Sequence, residues 1–222
     1  MKKYFEILRK CRLFDQIEDK DLLAILGCLG ARVVSYDKKN TILCEGSAAR
    51  EIGIVLSGEA QVVQIDYFGN RSILADIAPA ELFNESFACA DAESVPVDTV
   101  ATEDSEIMFV DCHRIMCACC NACTFHQQLI YNLMKIVATK NIQFHQKIEI
   151  TSKRSTREKL MAYLLLQAKK QNRNRFEIPY DRQELADYLE VDRSGLSAEI
   201  GKLRREGVVK NQKNYFELLR TQ

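Results

Sequence analysis

Apolar and polar positions change their period several times along the chain. Over residues 4–29 the spacing is helical. Ile7, Leu8, Cys11, Leu13 and Phe14 share one face, and Leu22, Leu23, Ile25, Leu26 and Leu29 form another behind Asp19, which is placed to cap that segment. From Ala31 to Asp111 the period shortens. Runs rich in β-branched residues recur at Val33–Tyr36, Thr41–Cys44, Ile52–Leu56, Ala60–Ile65, Ser72–Ala75, Thr99–Thr102 and Ile107–Val110. Turn-forming stretches at 37–40, 45–47, 57–59 and 68–70 separate them, a rhythm that predicts an antiparallel sandwich or small barrel. Gly58 and Gly69 fall where tight turns need positive φ.

Helical spacing then returns. Asn121 to about Ile148 contains neither Gly nor Pro and reads as one long helix. Ile130, Leu133, Val137, Phe144 and Ile148 lie near a 3.5-residue seam. Such a helix pairs with its own copy across a two-fold axis or packs back on its barrel. Leu129, Met134, Ile136 and Ile142 supply a second apolar edge, enough to do both. A polar hinge at Thr151–Ser155 leads to a helix over Thr156–Gln171, with Leu160, Tyr163, Leu164 and Ala168 inward. Residues 171–175 form a loop, and Phe176–Ile178 is a short strand that Pro179 ends.

Residues 181–207 read as two short helices with a tight turn between them. Asp181 caps the first, and Glu184 completes a capping box. Leu185, Ala186 and Leu189 share a face. Asp192 caps the second helix, Leu196, Ile200 and Leu203 make its apolar stripe, and Gly207 stops it. The other face of the second helix is small and polar: Arg193, Ser194, Ser197, Ala198 and Gly201. A helix that only packs has no need of such a face. A helix seated in a DNA major groove does, because bulk there blocks approach to base edges. Arg182, Gln183, Asp192, Arg193, Ser194, Ser197, Ala198 and Lys202 are the expected DNA contacts, and Lys202, Arg204 and Arg205 flank the small face and reach toward phosphates, which add affinity without reading sequence. Val208–Val209 and Tyr215–Leu218 complete a small hairpin with a basic tip.

The overall charge is balanced, with 31 basic and 31 acidic residues, but the halves differ. Residues 149–222 hold 16 Lys and Arg against 11 Asp and Glu, whereas residues 1–148 hold 15 against 20. A basic end on an acidic body fits nucleic-acid contact confined to that end. No apolar run approaches the ~20 residues that span a bilayer, and the first residues lack a signal-peptide core. The expected location is the cytoplasm, away from membranes, where the nine cysteines are reduced thiols or ligands rather than a disulfide framework.

Barrel, long helix, hinge and winged helix-turn-helix, in that order, resemble the cyclic-AMP receptor and fumarate-nitrate regulator (CRP/FNR) family of bacterial transcription factors. The likeness is strongest over Asp181–Val209 and Phe83–Phe87. Val191–Ser194 and Asn121–Cys123 also resemble the subgroup from anaerobic Gram-positive bacteria. The resemblance implies an α+β fold: an antiparallel β jelly-roll barrel over 1–120 like a cyclic-nucleotide-binding domain, a dimerisation helix and hinge over 121–150, and a winged helix-turn-helix over 151–222. It implies a homodimer on double-stranded DNA, with recognition helices about one helical turn apart on a near-palindromic site, and RNA polymerase as a partner. The family reads bases mostly with a Glu and one or two Arg. Arg193 stands at a family Arg position. Ser194 stands where Glu is common and Ala198 where Arg is common, so the site differs from the family's best-known half-site.

In the family's cyclic-AMP binders a Gly-Glu pair opens a short helix, and an Arg-Ser pair follows about ten residues on. Here Glu85 matches the Glu, Asn84 replaces the Gly, and Ser86 follows. Ala92–Thr99 contains no Arg or Lys, while Val97 and Asp98 stand where the phosphate would lie, and Asp98 repels one. Cyclic AMP is therefore not the expected effector. Phe144 and His145 lie near the family's ligand contacts at the dimer axis. The effector and any cofactor stay unidentified.

Cys112, Cys117, Cys119, Cys120 and Cys123, with His113 and His126 near, offer metal or redox chemistry, but Cys117, Cys119, Cys120 and Cys123 lack a standard ligand spacing. His126 or His145 is the candidate axial ligand for haem. A metal-dependent jelly-roll enzyme needs histidines on barrel strands, and residues 1–112 have none, so no enzymatic activity is expected. A barrel scaffold without DNA activity is the rival of another class.

Overall fold

The computed structural model describes residues 2–117 and 125–219. The chain divides into two compact units, Met1–Asn141 and Ile142–Gln222.

The first unit begins with helices α1 (Phe5–Leu8) and α2 (Asp19–Cys28), each preceded by a single 3-10 turn. Two antiparallel four-stranded sheets follow. β1 (Arg32–Tyr36), β8 (Ser105–Asp111), β3 (Glu51–Ser57) and β6 (Leu82–Phe83) form one, in that spatial order; β2 (Thr41–Leu43), β7 (Asp98–Ala101), β4 (Ala60–Ile65) and β5 (Arg71–Ile77) form the other. Helix α3 (Glu85–Cys89) lies between β6 and β7, and α4 (Cys112–Met116) follows β8. The long α5 (Phe125–Thr151) runs from this unit into the second.

All seven strands expected from the β-branched runs are present. The two-residue β6 is an addition, too short to leave a periodic trace in the sequence. Gly58 and Gly69 adopt φ +74° and +82°. At Gly58 a side chain would also strike Ser105 Oγ, 2.3 Å from an ideal Cβ. The first unit's core combines Leu8, Leu13, Leu26 and Ile25 with strand residues Ile52, Ile54, Met108 and Val110 and with Leu129, Leu133 and Ile136 of α5.

Three details differ from the sequence expectations. Glu18, not Asp19, is the N-cap of α2 and supplies no side-chain bond; Asp19 is instead taken up by the Arg9 guanidinium. Leu23 is exposed because the buried stripe of α2 is already filled by Leu22, Ile25 and Leu26. The apolar edges of α5 are also redistributed. Leu133 is buried in the barrel core with Leu129 and Ile136, and Ile130 and Val137 pack against it, so these do not form a free seam. Asn132, on the same face, donates to the Leu13 and Asp15 carbonyls at 3.0 and 2.8 Å, which registers the helix on the N-terminal segment. Tyr131, Met134, Ile142, Phe144 and Ile148 are left exposed.

The second unit contains the end of α5, then α6 (Thr156–Gln171), β9 (Arg175–Glu177), α7 (Arg182–Leu189), α8 (Arg193–Arg205), β10 (Val209–Gln212) and β11 (Tyr215–Leu218). Ser155 and Glu158 form a capping box that starts α6 after the hinge. The strands make one antiparallel sheet in the order β10, β11, β9. Leu160, Tyr163 and Leu164 of α6 are buried, as are Leu185 and Leu189 of α7 and Leu196, Ile200 and Leu203 of α8. The Lys147 ammonium of α5 lies 4.4 Å from the centre of the Tyr188 ring, beside Tyr163 and Tyr180, and so attaches the last turns of α5 to this unit.

Candidate functional site

The helix-turn-helix is assembled by local chemistry. The Asp181 carboxylate accepts from the Gln183 and Glu184 amides at 2.7 and 2.9 Å, and Glu184 returns a bond to the Asp181 amide. This satisfies amides that open a helix and would otherwise be orphaned. Glu190 ends α7 in the left-handed region at φ +54°, a conformation sequence reading had no means to assign to a glutamate. Its carbonyl accepts from Lys159 at 3.2 Å. Asp192 then opens α8, accepting from the Gly195 amide and the Ser194 hydroxyl, both at 2.6 Å. These bonds, that from Ser194 foremost, hold the Asp192 carboxyl below its ordinary range.

Burying Leu196, Ile200 and Leu203 turns Arg193, Ser194, Ser197, Ala198 and Lys202 outward, all exposed, with Gly201 half-buried among them. The face is thin as well as exposed, because Ser, Ala and Gly leave the α8 backbone within reach of a flat partner. The structure brings Arg193 close enough to Arg182 that the two cations interact. Partial burial, and then the Arg193 charge, push the Arg182 guanidinium below its ordinary value. No ion pair joins either arginine to a carboxylate among the described residues. With neither guanidinium neutralised by a carboxylate among the described residues, positive charge gathers near the start of α8.

The remaining interface residues differ in availability. Gln183 is exposed and bonded to Asp187 at 2.8 Å. Lys202 is exposed and pairs loosely with Glu199 at 3.3 Å. Arg157 crosses from α6 to Glu199 and Glu206 and holds Glu206 below its ordinary range. Asp192 and Ser194 spend their side chains on the cap, so Arg193, Ser197, Ala198 and Lys202 are the exposed side chains of this face not taken up by it. At the hairpin between β10 and β11, Lys213 turns at φ +54° and is exposed, as is Lys210.

The barrel residues expected to meet an effector are placed differently. Asn84 takes the left-handed conformation, φ +66°, that a Gly would adopt freely, and its amide donates to the Glu51 carbonyl at 2.7 Å. Glu85 is only 3% exposed, and its carboxylate is held by Lys140 of α5 at 3.0 Å and by the Ser86 hydroxyl at 3.3 Å. Lys140 also donates to the Leu82 carbonyl. Val97 is buried with Val95 and Ala49, and Leu74, Phe87 and Val62 pack against that cluster. Asp98 accepts from the Glu45 amide at 2.7 Å. Phe144 and His145 belong to the second unit and are exposed.

Lys140 was missed by sequence reading. Its signal was there: Leu129, Leu133, Ile136 and Lys140 continue one helical stripe, so a lysine ends the face that enters the barrel core.

His126 is buried, stacks on Phe125 and has Nε2 3.2 Å from the Arg114 carbonyl, a structural contact at that nitrogen. Cys117 is exposed beside His113, at 3.3 Å. Cys119, Cys120 and Cys123 lie outside the described residues. Among the described residues, no cluster of His, Cys, Asp or Glu is suited to a metal, and no helix is long and apolar enough to cross a membrane.

Comparison with known proteins adds to this geometry. Residues 33–116 match the family described as cyclic nucleotide-binding domain, and residues 158–222 match the Crp-like helix-turn-helix domain. No curated protein sequence matches the chain. Solved structures share the fold across both units. FixK2 from Bradyrhizobium japonicum is 18% identical with TM-score 0.65, over 86% of this chain and 93% of its own. The c-di-GMP-responsive global regulator CLP of Xanthomonas campestris is 13% identical with TM-score 0.74, over 92% of this chain and 100% of its own. A CooA mutant from Carboxydothermus hydrogenoformans is 18% identical with TM-score 0.69, over 92% and 94%.

Proposed function

We propose that this chain, which joins a cyclic nucleotide-binding domain to a Crp-like helix-turn-helix domain in the fold of the CRP/FNR-type transcription regulators, binds a near-palindromic DNA site as a homodimer under allosteric control by its barrel. The observation that carries the reading is the exposed, thin face of α8 beside the unpaired Arg182 and Arg193. Arg193 and Ala198 meet base edges, the latter at a thymine methyl, and Arg182, Lys202 and Lys213 meet phosphates. The residues of Val191–Ser194 support placement in the subgroup of anaerobic Gram-positive bacteria, and RNA polymerase is the partner that regulation requires.

Selection of duplexes from a random pool is expected to recover a two-fold-symmetric site. On that site Arg193→Ala is expected to cost about 1–3 kcal/mol of specific binding and to relax preference at one base pair of each half-site. Equal affinity and preference for the variant would refute the assignment of Arg193.

The barrel's signal is not a cyclic nucleotide. Glu85, the residue that would take the ribose, already holds Lys140, and the loop that would take the phosphate presents buried valines and an aspartate. Calorimetry with cyclic AMP is expected to show no binding heat at micromolar protein; a micromolar Kd would overturn this. Lys140 ties α3 to the long helix, so an effector that displaces Glu85 from Lys140 acts directly on α5, which continues to the DNA-binding unit.

A further inference from the structure

Two cysteines separated by 23 positions in sequence meet where α3 packs on α4. The Cys89 and Cys112 sulfurs are 3.6 Å apart. Cys89 is half-buried at the end of α3, open to a small reagent, whereas Cys112 is 2% exposed at the start of α4. The sulfurs need to close to about 2 Å to bond, a movement within reach of rotamer and loop adjustment. Neither cysteine is used by the DNA-binding surface, and Cys89 stood outside the cysteine cluster that the sequence drew attention to.

We propose that Cys89 and Cys112 are an oxidisable dithiol that forms an intrachain disulfide with a hydroperoxide. The Cys89 thiolate attacks one peroxide oxygen. The O–O bond breaks, water or an alcohol leaves with the thiol's proton, and Cys89 becomes a sulfenic acid. The Cys112 sulfur then attacks the Cys89 sulfur. The S–S bond forms, the S–O bond breaks, and hydroxide leaves with the Cys112 proton as water. Two thiols lose two electrons and the peroxide gains them.

The division of labour follows from the surroundings. The Cys112 sulfur beside it lowers the Cys89 pKa, and that same contact, then burial, raises Cys112. Cys89, the less buried of the two, is the attacking thiolate, and Cys112, which a reagent does not reach, resolves it. The product would join α3, which carries Glu85, to α4, and so restrain the segment that grips Lys140.

The inference does not depend on DNA binding, and its test reads mass. The reduced full chain is treated with one equivalent of hydrogen peroxide, free thiols are alkylated, and the protein is digested with trypsin without reductant. The tryptic peptide Ser72–Arg114 contains Cys89 and Cys112 and no other cysteine. It is expected to be two hydrogens lighter than the reduced peptide and to carry no alkyl group. A glutamate-specific protease, which cuts after Glu93, Glu103 and Glu106, is expected to leave its two halves joined. In Cys89→Ser, Cys112 is expected to be recovered alkylated after peroxide. Alkylation of both cysteines in the wild-type peptide would overturn the proposal. So would Cys89 recovered as sulfinic acid or joined to any cysteine other than Cys112. The wild-type measurement stands even where a variant folds poorly.

Discussion

Ala198→Glu is expected to abolish sequence-specific DNA binding and to leave thermal unfolding unchanged. Ala198 is exposed on α8, between Ser197 and Lys202 on the face that buries nothing in its own unit. The substitution costs little in the helix, since glutamate is a good helix former and the new carboxylate stands four residues before Lys202. Against DNA the same carboxylate meets two walls of phosphate and a floor of base edges in a groove that admits a helix with little room to spare. Like charges brought together at an interface cost several kcal/mol, so affinity for the selected site falls by at least ~100-fold. Fluorescence anisotropy on that site, with circular dichroism melting as the control, checks both halves. Unchanged anisotropy would mean that α8 does not enter a groove, and the reading of the second unit would fail with it. A fall in both binding and melting temperature would mean that Ala198 packs against something, contrary to its exposure. Ala198→Ser, which adds one small polar atom, is the matched variant and is expected to change half-site preference more than affinity.

What the sequence displayed clearly was whatever is decided within one turn or one strand. The capping box at Asp181, the Asp192 cap and the stripe of Leu196, Ile200 and Leu203 depend on neighbours three or four positions away. The barrel strands were legible for the same reason. Pairs brought together by the tertiary fold were not. Glu85 and Lys140 are 55 positions apart, and Cys89 and Cys112 are 23 apart, with nothing local to join them. Closeness in sequence gathers the cysteines of 112–123, whereas closeness in space brings Cys89 to Cys112. Helix α5 shows a third kind of limit. It has more apolar positions than one face can hold, so periodicity alone cannot say which face its own barrel takes.

In the proposed homodimer, that allocation decides how the two copies meet. The barrel core takes Leu129, Leu133 and Ile136. Left exposed on α5 are Tyr131, Met134, Ile142 and Ile148, with Met134, Ile142 and Ile148 between 60% and 64% accessible. With Ala138 and His145 they recur every three or four residues, the spacing of a two-helix seam, one position along from much of the set that periodicity suggests. The double variant Met134→Glu/Ile142→Glu is therefore expected to be monomeric. Neither side chain is in a core, so folding of each unit is unaffected. In a symmetric pair the substitutions remove four buried side chains at about 1.5–3 kcal/mol each and place carboxylates against one another, weakening self-association on the order of a thousand-fold or more. Two half-sites bound by one rigid dimer gain from effective concentration. A monomer loses that gain, and affinity for the full palindrome falls by about 100- to 10,000-fold while half-site affinity is retained. Sedimentation equilibrium and anisotropy on full and half sites separate these effects. A variant that sediments as a dimer would move the two-fold axis off this stripe. A monomer with undiminished affinity for the full site would show that each chain reads DNA without its copy.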